Sequence, residues 1–456
     1  VQGCIIRTPV RKSSNRLILS AVLGLLILSV GSFFAWNIYQ YRANELIEPA
    51  SVDQMAYPLP EKPSIAVLSF SNIGDDPDID YFINGFSDTL ITALSKMPGI
   101  FVIARSSTSV YKDKSIKINK ISEELGIQYV INGSIQKSGE KLRVTVKMID
   151  ALTGYHVWSD QYSRSLKNIF EIQDDIVLSI IKSVGSKYNE IIESVTAEAA
   201  GTKNLDAYLR NLMSLYLYES NFSRDNFNEI IHLAEEAIVL DQNFLNPYIR
   251  IVYSKARAAR YGFTETPDML RDQALDMAQI AVKLKANSAR AHGALGRAYY
   301  ELKQYEKSIT EYKKVLELDP NEPTGYDIGW ALCYSGRASE AFPYFMESRR
   351  LNPKSIIPLL GLSLVNLITG NYENAIPFLM DGIDVNPNFL RLYLDLAACY
   401  AALGFEEEAK NAAKNVLELN PAFSIDHYIF RGLPVIDLNT IKNYVDALKK
   451  IPFPQF

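Results

Sequence analysis

The chain has 456 residues, 48% of them apolar and 22% charged, with a formal net charge of −5. That length allows two or three domains, and that composition excludes a disordered chain. The acidic balance argues against nucleic acid as the main partner, and three widely spaced cysteines (Cys4, Cys333 and Cys399) do not form a disulfide framework.

Residues 1–16 are a short basic tail with Arg7, Arg11, Lys12 and Arg16. Leu17–Tyr39 carries no charge and is apolar on every face. As a helix rising about 1.5 Å per residue, it covers roughly the 30 Å of a bilayer core. Trp36, Tyr39 and Tyr41 stand at its far end, where amphipathic rings favour the membrane interface. The basic flank keeps the N-terminus in the cytoplasm. The expectation is a single-pass bacterial inner-membrane anchor with the bulk of the chain on the periplasmic side. A cleaved signal peptide fits less well, because the apolar core is long and ends on bulky Phe33, Phe34 and Trp36. Ser20, Gly24 and Gly31 form a small-residue stripe, a candidate homodimer contact within the bilayer.

Residues 40–63 hold Pro49, Pro58, Pro60 and Pro63 without a sustained period, which predicts an extended stalk. Residues 64–195 alternate between two periods. Ser64–Phe70 and Phe101–Arg105 read as buried strands, and Ile83, Phe86, Leu90 and Leu94 mark one face of a helix with Asp80 as its possible N-cap. Asn119–Leu125 is a short helix stopped by Gly126. Tyr129–Gln136 and Leu142–Ile149 flank a hairpin turn, with Leu142, Val144, Val146 and Met148 alternating against Arg143, Thr145 and Lys147. His156–Tyr162 gives a third antiparallel strand and Asn168–Glu190 a last helix. The order β-α-β-α-β-β-β-α predicts an α/β sandwich with one largely covered sheet face.

The blocks KPSIAVLSFSNIGDDPDIDYFINGFSDTLITALSKMPGIFVIARSSTSVYK, LGIQYVINGSIQKSGEKLRVTVKMIDALTGYHVWSDQY and IFEIQDDIV run in order through this region. They resemble the TolB/FlgO-like extracytoplasmic domain over roughly residues 62–185. The resemblance implies a place between a cytoplasmic head and tetratricopeptide repeats. In such proteins the head is an adenylate/guanylate cyclase domain or a CadC-type winged-helix domain. Neither head is found in this sequence, and its loss by truncation or by a changed gene start is one expectation.

From residue 205 to 456 the chain repeats. Pro320, Pro353, Pro387 and Pro421 recur at 33, 34 and 34 residues. Ser308, Ala341, Ala375 and Ala409 keep that spacing twelve residues earlier, and Gly296, Gly329, Ser363 and Ala397 twelve before those. This helix-turn-helix period predicts an all-α solenoid, and ARAHGALGRAYYELKQYEKSITEYKKVLELDPN closely resembles a tetratricopeptide repeat. About six repeats are expected, the first two degenerate, with Leu438–Lys450 as a capping helix.

No catalytic constellation appears. The four histidines are scattered, and no phosphate loop, dinucleotide motif or nucleophile elbow is present, so neither enzyme activity nor a cofactor is expected. Asp76, Asp78 and Asp80 imitate a calcium loop, but Tyr81 and Ser87 replace its glycine and bidentate glutamate. The resemblance to tetratricopeptide repeats implies that positions 2, 5, 9 and 12 of each first helix line a groove. These are Arg290, Gly293, Arg297 and Tyr300, then Pro323, Tyr326, Trp330 and Cys333, then Ile357, Leu360, Leu364 and Leu367, then Arg391, Leu394, Ala398 and Ala401. Arg290, Arg297, Tyr300, Tyr326, Trp330 and Arg391 are candidate anchors for a protein partner with an apolar or helical segment. Leu360, Leu364 and Leu367 either join that groove or pack against the solenoid's own turns and its cap. Three functions remain open. They are a membrane-anchored, non-enzymatic sensing module, the receptor half of a cyclase or CadC-type regulator, and a periplasmic scaffold.

Overall fold

A hairpin and a run of paired helices organise the chain. The computed structural model describes residues 47–453, apart from 75–78, 98, 113, 185–200, 221, 323 and 430–437. The expected membrane helix, the stripe of Ser20, Gly24 and Gly31, and Asp76 and Asp78 therefore lie outside the described residues. Among the described residues, no helix is long and apolar enough to cross a membrane.

The α/β domain occupies residues 64–183. Its strands are β1 (Ser64–Val67), β2 (Ser71–Asn72), β3 (Phe101–Val102), β4 (Tyr129–Ser138), β5 (Lys141–Asp150) and β6 (Tyr155–Ser165). They form one mixed sheet in the order β3-β1-β4-β5-β6, with β2 also parallel to β4. β1 runs parallel to β3 and β4, while β4, β5 and β6 are antiparallel. Alternation sets the register: Leu142, Val144, Val146 and Met148 are fully buried, and Arg143 and Lys147 face out. The inward face packs against α1 (Asp80–Ser95) and α4 (Ile169–Ser183). On the opposite face α3 (Ile118–Leu125) makes a smaller core with Ile103, Tyr111 and Val130. A single turn, α2 (Arg105–Thr108), follows β3.

Two local expectations need correction. Asp80 is not the cap of α1. Ile79 holds that position with no side-chain bond, and Asp80 instead meets Lys112 Nζ at 3.2 Å. Residues 47–63 are not a free stalk either: Ala50 N donates to Ala151 O at 2.7 Å and Ser51 N to Glu123 Oε1 at 3.0 Å. Where Gly126 ends α3, its φ of +62° confirms the expected left-handed stop, and an added Cβ would strike the backbone of Tyr57.

The solenoid holds six helix pairs among the described residues. They are α5 (Leu205–Ser220) with α6 (Arg224–Leu240), and α7 (Leu245–Tyr261) with α8 (Pro267–Leu284). Next come α9 (Ala289–Glu301) with α10 (Tyr305–Leu318), and α11 (Gly325–Tyr334) with α12 (Phe342–Leu351). The last two are α13 (Ile356–Thr369) with α14 (Tyr372–Val385), and α15 (Leu390–Leu403) with α16 (Glu406–Leu419). The repeating prolines each fall two residues past a second helix. The small residues sit where paired helices touch: Ser308, Ala341, Ala375 and Ala409 are fully buried, and Ser308 Oγ donates to Gly296 O at 2.8 Å.

After a short turn, α17 (Ile425–His427), the chain ends in α18 (Lys442–Lys449). α18 packs on α13 and α15, the first helices of the last two pairs. It therefore lies across the inner row of helices instead of extending the stack, which corrects the simple end-cap expectation. Tyr444 Oη donates to Asp395 Oδ1, and Asn443 Nδ2 to Ile368 O at 2.9 Å.

Candidate functional site

The inner row of helices is where the sequence placed its groove, and the chain itself fills much of it. At the C-terminal end, Leu364 and Leu367 are fully buried and Leu360 nearly so, in one core with Tyr444, Val445 and Leu448 of α18. Of the two readings of these leucines, self-packing is the one observed. Arg391 lies between Trp330, whose ring centroid is 5.0 Å from its guanidinium carbon, and Asp395, at 3.3 Å. Trp330 stacks on Tyr334 and meets Phe345 edge-on. Arg297 is held by Glu301 (3.1 Å) and Asp327 (3.7 Å), and Tyr300 is buried against Tyr305. These candidate anchors are therefore knit into the solenoid interior.

At the N-terminal end the inner row holds the α/β domain. Helix α1 packs on α5, and Gly85 permits the contact, because a Cβ there would strike the side chain of Leu212. Tyr208 Oη lies 3.2 Å from both Thr89 Oγ1 and Gln173 Nε2. Arg290 Nη2 donates to Thr92 Oγ1 at 2.7 Å and reaches Asp88 at 3.5 Å. The end of α12 and the loops between repeats do the rest. Asn321 Nδ2 donates to Ser95 O (2.8 Å) and Ile100 O (3.0 Å), and Ser95 Oγ donates to Asp319 Oδ2 (3.0 Å). Arg350 donates to the carbonyls of Leu125, Gly126 and Pro58. Ala104 N donates to Leu351 O, and Lys354 Nζ pairs with Glu124 at 2.6 Å.

The Asn321 amide satisfies two backbone carbonyls in a buried setting. Asn321→Leu leaves both without a donor, so unfolding free energy should fall by about 2–4 kcal/mol. Thermal denaturation checks the loss. Hydrogen exchange should also rise at the C-terminal turn of α1.

Between α1 and the inner helices lies a cleft. One compartment, about 540 Å³, is bounded by Arg105, Glu219, Asp88 and Glu322. A second, about 350 Å³, is bounded by Asn211, Tyr218, Arg250, Tyr253, Thr324 and Tyr326, and Asp88, Glu219, Arg290 and Glu322 border both. Two of the expected site residues, Arg290 and Tyr326, thus come together here. Sequence reasoning missed Asn211, Arg250 and Thr324. With Leu245 as position 1 of the second, degenerate repeat, positions 2, 5 and 9 are Asn246, Ile249 and Tyr253, and all three line this compartment.

The cleft carries an unusual acid. Burial, reinforced by the nearby Asp319 charge, pushes the Glu322 carboxyl from its ordinary 4.5 up to about 7. Outside the cleft, in the solenoid interior, burial raises Asp327 to about 6, opposed by Arg297 and Arg260. Folded protein therefore holds a proton on Glu322 that the unfolded chain releases above 4.5. The resulting stability is complete below that value and is lost as pH rises toward about 7. Glu322→Gln should accordingly be neutral in acid and stabilising at pH above about 8, by about 1–3 kcal/mol. Denaturant midpoints measured across that range check it.

Among the described residues no group of three or more His, Cys, Asp or Glu side chains is placed to hold a metal ion. Cys333 and Cys399 are buried free thiols, raised by burial.

Six helix pairs of this period define a tetratricopeptide-repeat interaction module, joined here to an α/β domain. Residues 296–326 match the family model described as TPR repeat, and residues 61–178 match that of the HilA/YgeH-like transcriptional regulator, second domain. A Rhizobium meliloti protein named "Putative adenylate cyclase 3" is 32% identical over 254 residues, 55% of this chain and 42% of that relative. The Bacillus subtilis TPR repeat-containing protein YpiA is 29% identical over 125 residues, 26% of this chain and 29% of that protein. A solved structure of Pseudomonas aeruginosa PilF is 16% identical, with a TM-score of 0.39, and covers 50% of this chain and 97% of its own. The chain thus spans less than half the length of the curated relatives named here.

Proposed function

We propose that this chain is a non-enzymatic sensing module anchored in a bacterial inner membrane through Leu17–Tyr39. Its α/β domain and solenoid stand outside the cytoplasm. Events at the solenoid reach the α/β domain and the residues that follow the membrane segment. The observation that carries this reading is the set of inter-repeat bonds. Arg350 alone joins the solenoid to Leu125, Gly126 and Pro58, so a shift of the repeats would move the segment that leads into the α/β domain as well. Protein partners are expected on surfaces of the repeats left open by α1 and α18.

A second reading is supported by the similarity to the Rhizobium meliloti relative. Here the chain would be the regulatory portion of a nucleotide cyclase, with the catalytic part supplied by sequence before residue 1.

One experiment tests relay under either reading. A cyclase catalytic domain is fused before residue 1 in a bacterium lacking its own cyclase. Asn321→Ala combined with Arg350→Ala should change cyclic AMP output severalfold at equal membrane abundance. Unchanged output would contradict relay and leave a tether.

A further inference from the structure

The smaller compartment of the cleft has the character of a ligand site. Three of the residues that line it each hold a buried polar atom without a hydrogen-bond partner among the described residues: Arg250 Nε, Asn211 Oδ1 and Thr324 Oγ1. Buried polar groups are nearly always paired, so three orphans on one cavity call for an explanation. They also differ in kind, being a cationic donor, an acceptor and a hydroxyl that can act either way.

Charge defines the partner further. Arg250 makes no ion pair among the described residues, and its guanidinium sits 4.7 Å from the centroid of the Tyr218 ring. The other nearby cations are engaged, Arg290 by Asp88 and Arg105 by Glu219. Burial lowers the Arg250 guanidinium from its ordinary value, and the charges of Glu219 and Asp88, neither within ion-pair distance of it, offset that cost only in part. Three carboxyl groups border the same space: Asp88 and Glu219 are engaged by Arg290 and Arg105, and burial pushes Glu322 up to about 7, which reduces its charge in the neutral range. The walls also include the rings of Tyr218, Tyr253 and Tyr326 with Ile249 and Val315. A volume of about 350 Å³ is at the small end of ligand pockets.

We infer that this compartment binds a small carboxylic acid with an aromatic or apolar body and a hydrogen-bond donor, a class that includes amino and hydroxy acids. Its carboxylate pairs with Arg250 and accepts from the Thr324 hydroxyl, its body lies among the three tyrosines, and its donor meets Asn211. Since Gly85 and Thr89 of α1 form one wall and α5, α7 and α9 the others, the acid bridges the α/β domain and the solenoid. The inference goes beyond the relay reading and stands on the cavity alone.

The test uses the full chain and three probes at millimolar concentration: L-phenylalanine, 4-hydroxyphenylacetate and L-phenylalaninamide, which lacks the carboxylate. Calorimetric titration and thermal shift should detect at least one of the two acids and not the amide. Arg250→Gln should weaken that acid by about tenfold or more. Thr324→Val, which keeps the shape of the side chain, should weaken it severalfold with the unfolding temperature of the free protein unchanged. If Arg250→Gln does not fold, Thr324→Val decides alone. Absence of binding by both acids overturns the inference. So does amide binding equal to acid binding, or an affinity that Thr324→Val leaves unaltered.

Discussion

Arg391→Met should lower the unfolding free energy by about 3–5 kcal/mol, among the largest losses available to a single substitution in this chain. Asp395 is fully buried on α15 and depends on two groups, the Arg391 guanidinium at 3.3 Å and the Tyr444 hydroxyl of α18. Burial raises the Asp395 carboxyl, and Arg391 and Tyr444 only partly restrain it. Without Arg391 the buried carboxylate has no countercharge. Adding Asp395→Asn to Arg391→Met should then recover most of the loss, because the amide oxygen still accepts from Tyr444 while the buried charge is gone. A double-mutant cycle by denaturant unfolding measures this coupling. The deficit of Arg391→Met alone should shrink in acid, where the stranded Asp395 takes up a proton. A deficit that does not change with pH, or a double variant no better than the single, would contradict this role. Hydrogen exchange should rise in α18 of the single variant, because its Tyr444 contact is weakened with the pair.

Phe345→Ala should cost about 3–5 kcal/mol for a different reason. The ring is fully buried between α11 and α13, where Gly329 and Gly361 present only hydrogens to it. An added Cβ at either glycine would strike the ring, so the two glycines and the phenylalanine form one fitted contact between repeats. Removing the ring leaves a cavity that two helix backbones cannot close, and Trp330 loses its edge-on neighbour. Phe342, three residues earlier and 39% exposed, is the internal control. Phe342→Ala should cost less than about 1 kcal/mol. Equal losses at both positions would show that the spacing of small residues does not determine repeat packing.

These two sites show why some features were legible in the sequence. Gly329 belongs to the small-residue series, so the repeat period places it without long-range information, whereas Phe345 and Gly361 carry no such mark. The alternation of Leu142, Val144, Val146 and Met148 likewise sets the burial of β5, and Gly126 marks the end of α3 because only a left-handed residue fits there. The candidate site was less legible. Arg290 and Tyr326 were found by carrying groove positions onto the repeats, but so were Leu364 and Leu367, which α18 covers. Periodicity identifies the inner face of a solenoid. It does not say what occupies that face. The occupants are α1, far upstream, and α18, at the chain's end, and both arrive by tertiary contacts that leave no mark on local spacing. Asn321 and Lys354 sit in loops between repeats and Arg350 in the last turn of α12, where polar residues are expected simply to face water. Their hydrogen bonds to Ser95, Gly126 and Glu124 could not be read from composition.

The account depends on the solenoid holding its own α/β domain against its inner helices. Carbodiimide coupling of the unmodified full chain, followed by peptide mass spectrometry, tests this directly. Lys354 Nζ and Glu124 Oε2 are 2.6 Å apart, one on each side of the junction, and both retain solvent access. Lys120 and Glu123, paired at 2.7 Å within α3, serve as the local reference. The arrangement predicts an amide between Lys354 and Glu124 at a yield comparable to the reference. The reference amide without the Lys354–Glu124 product would contradict it.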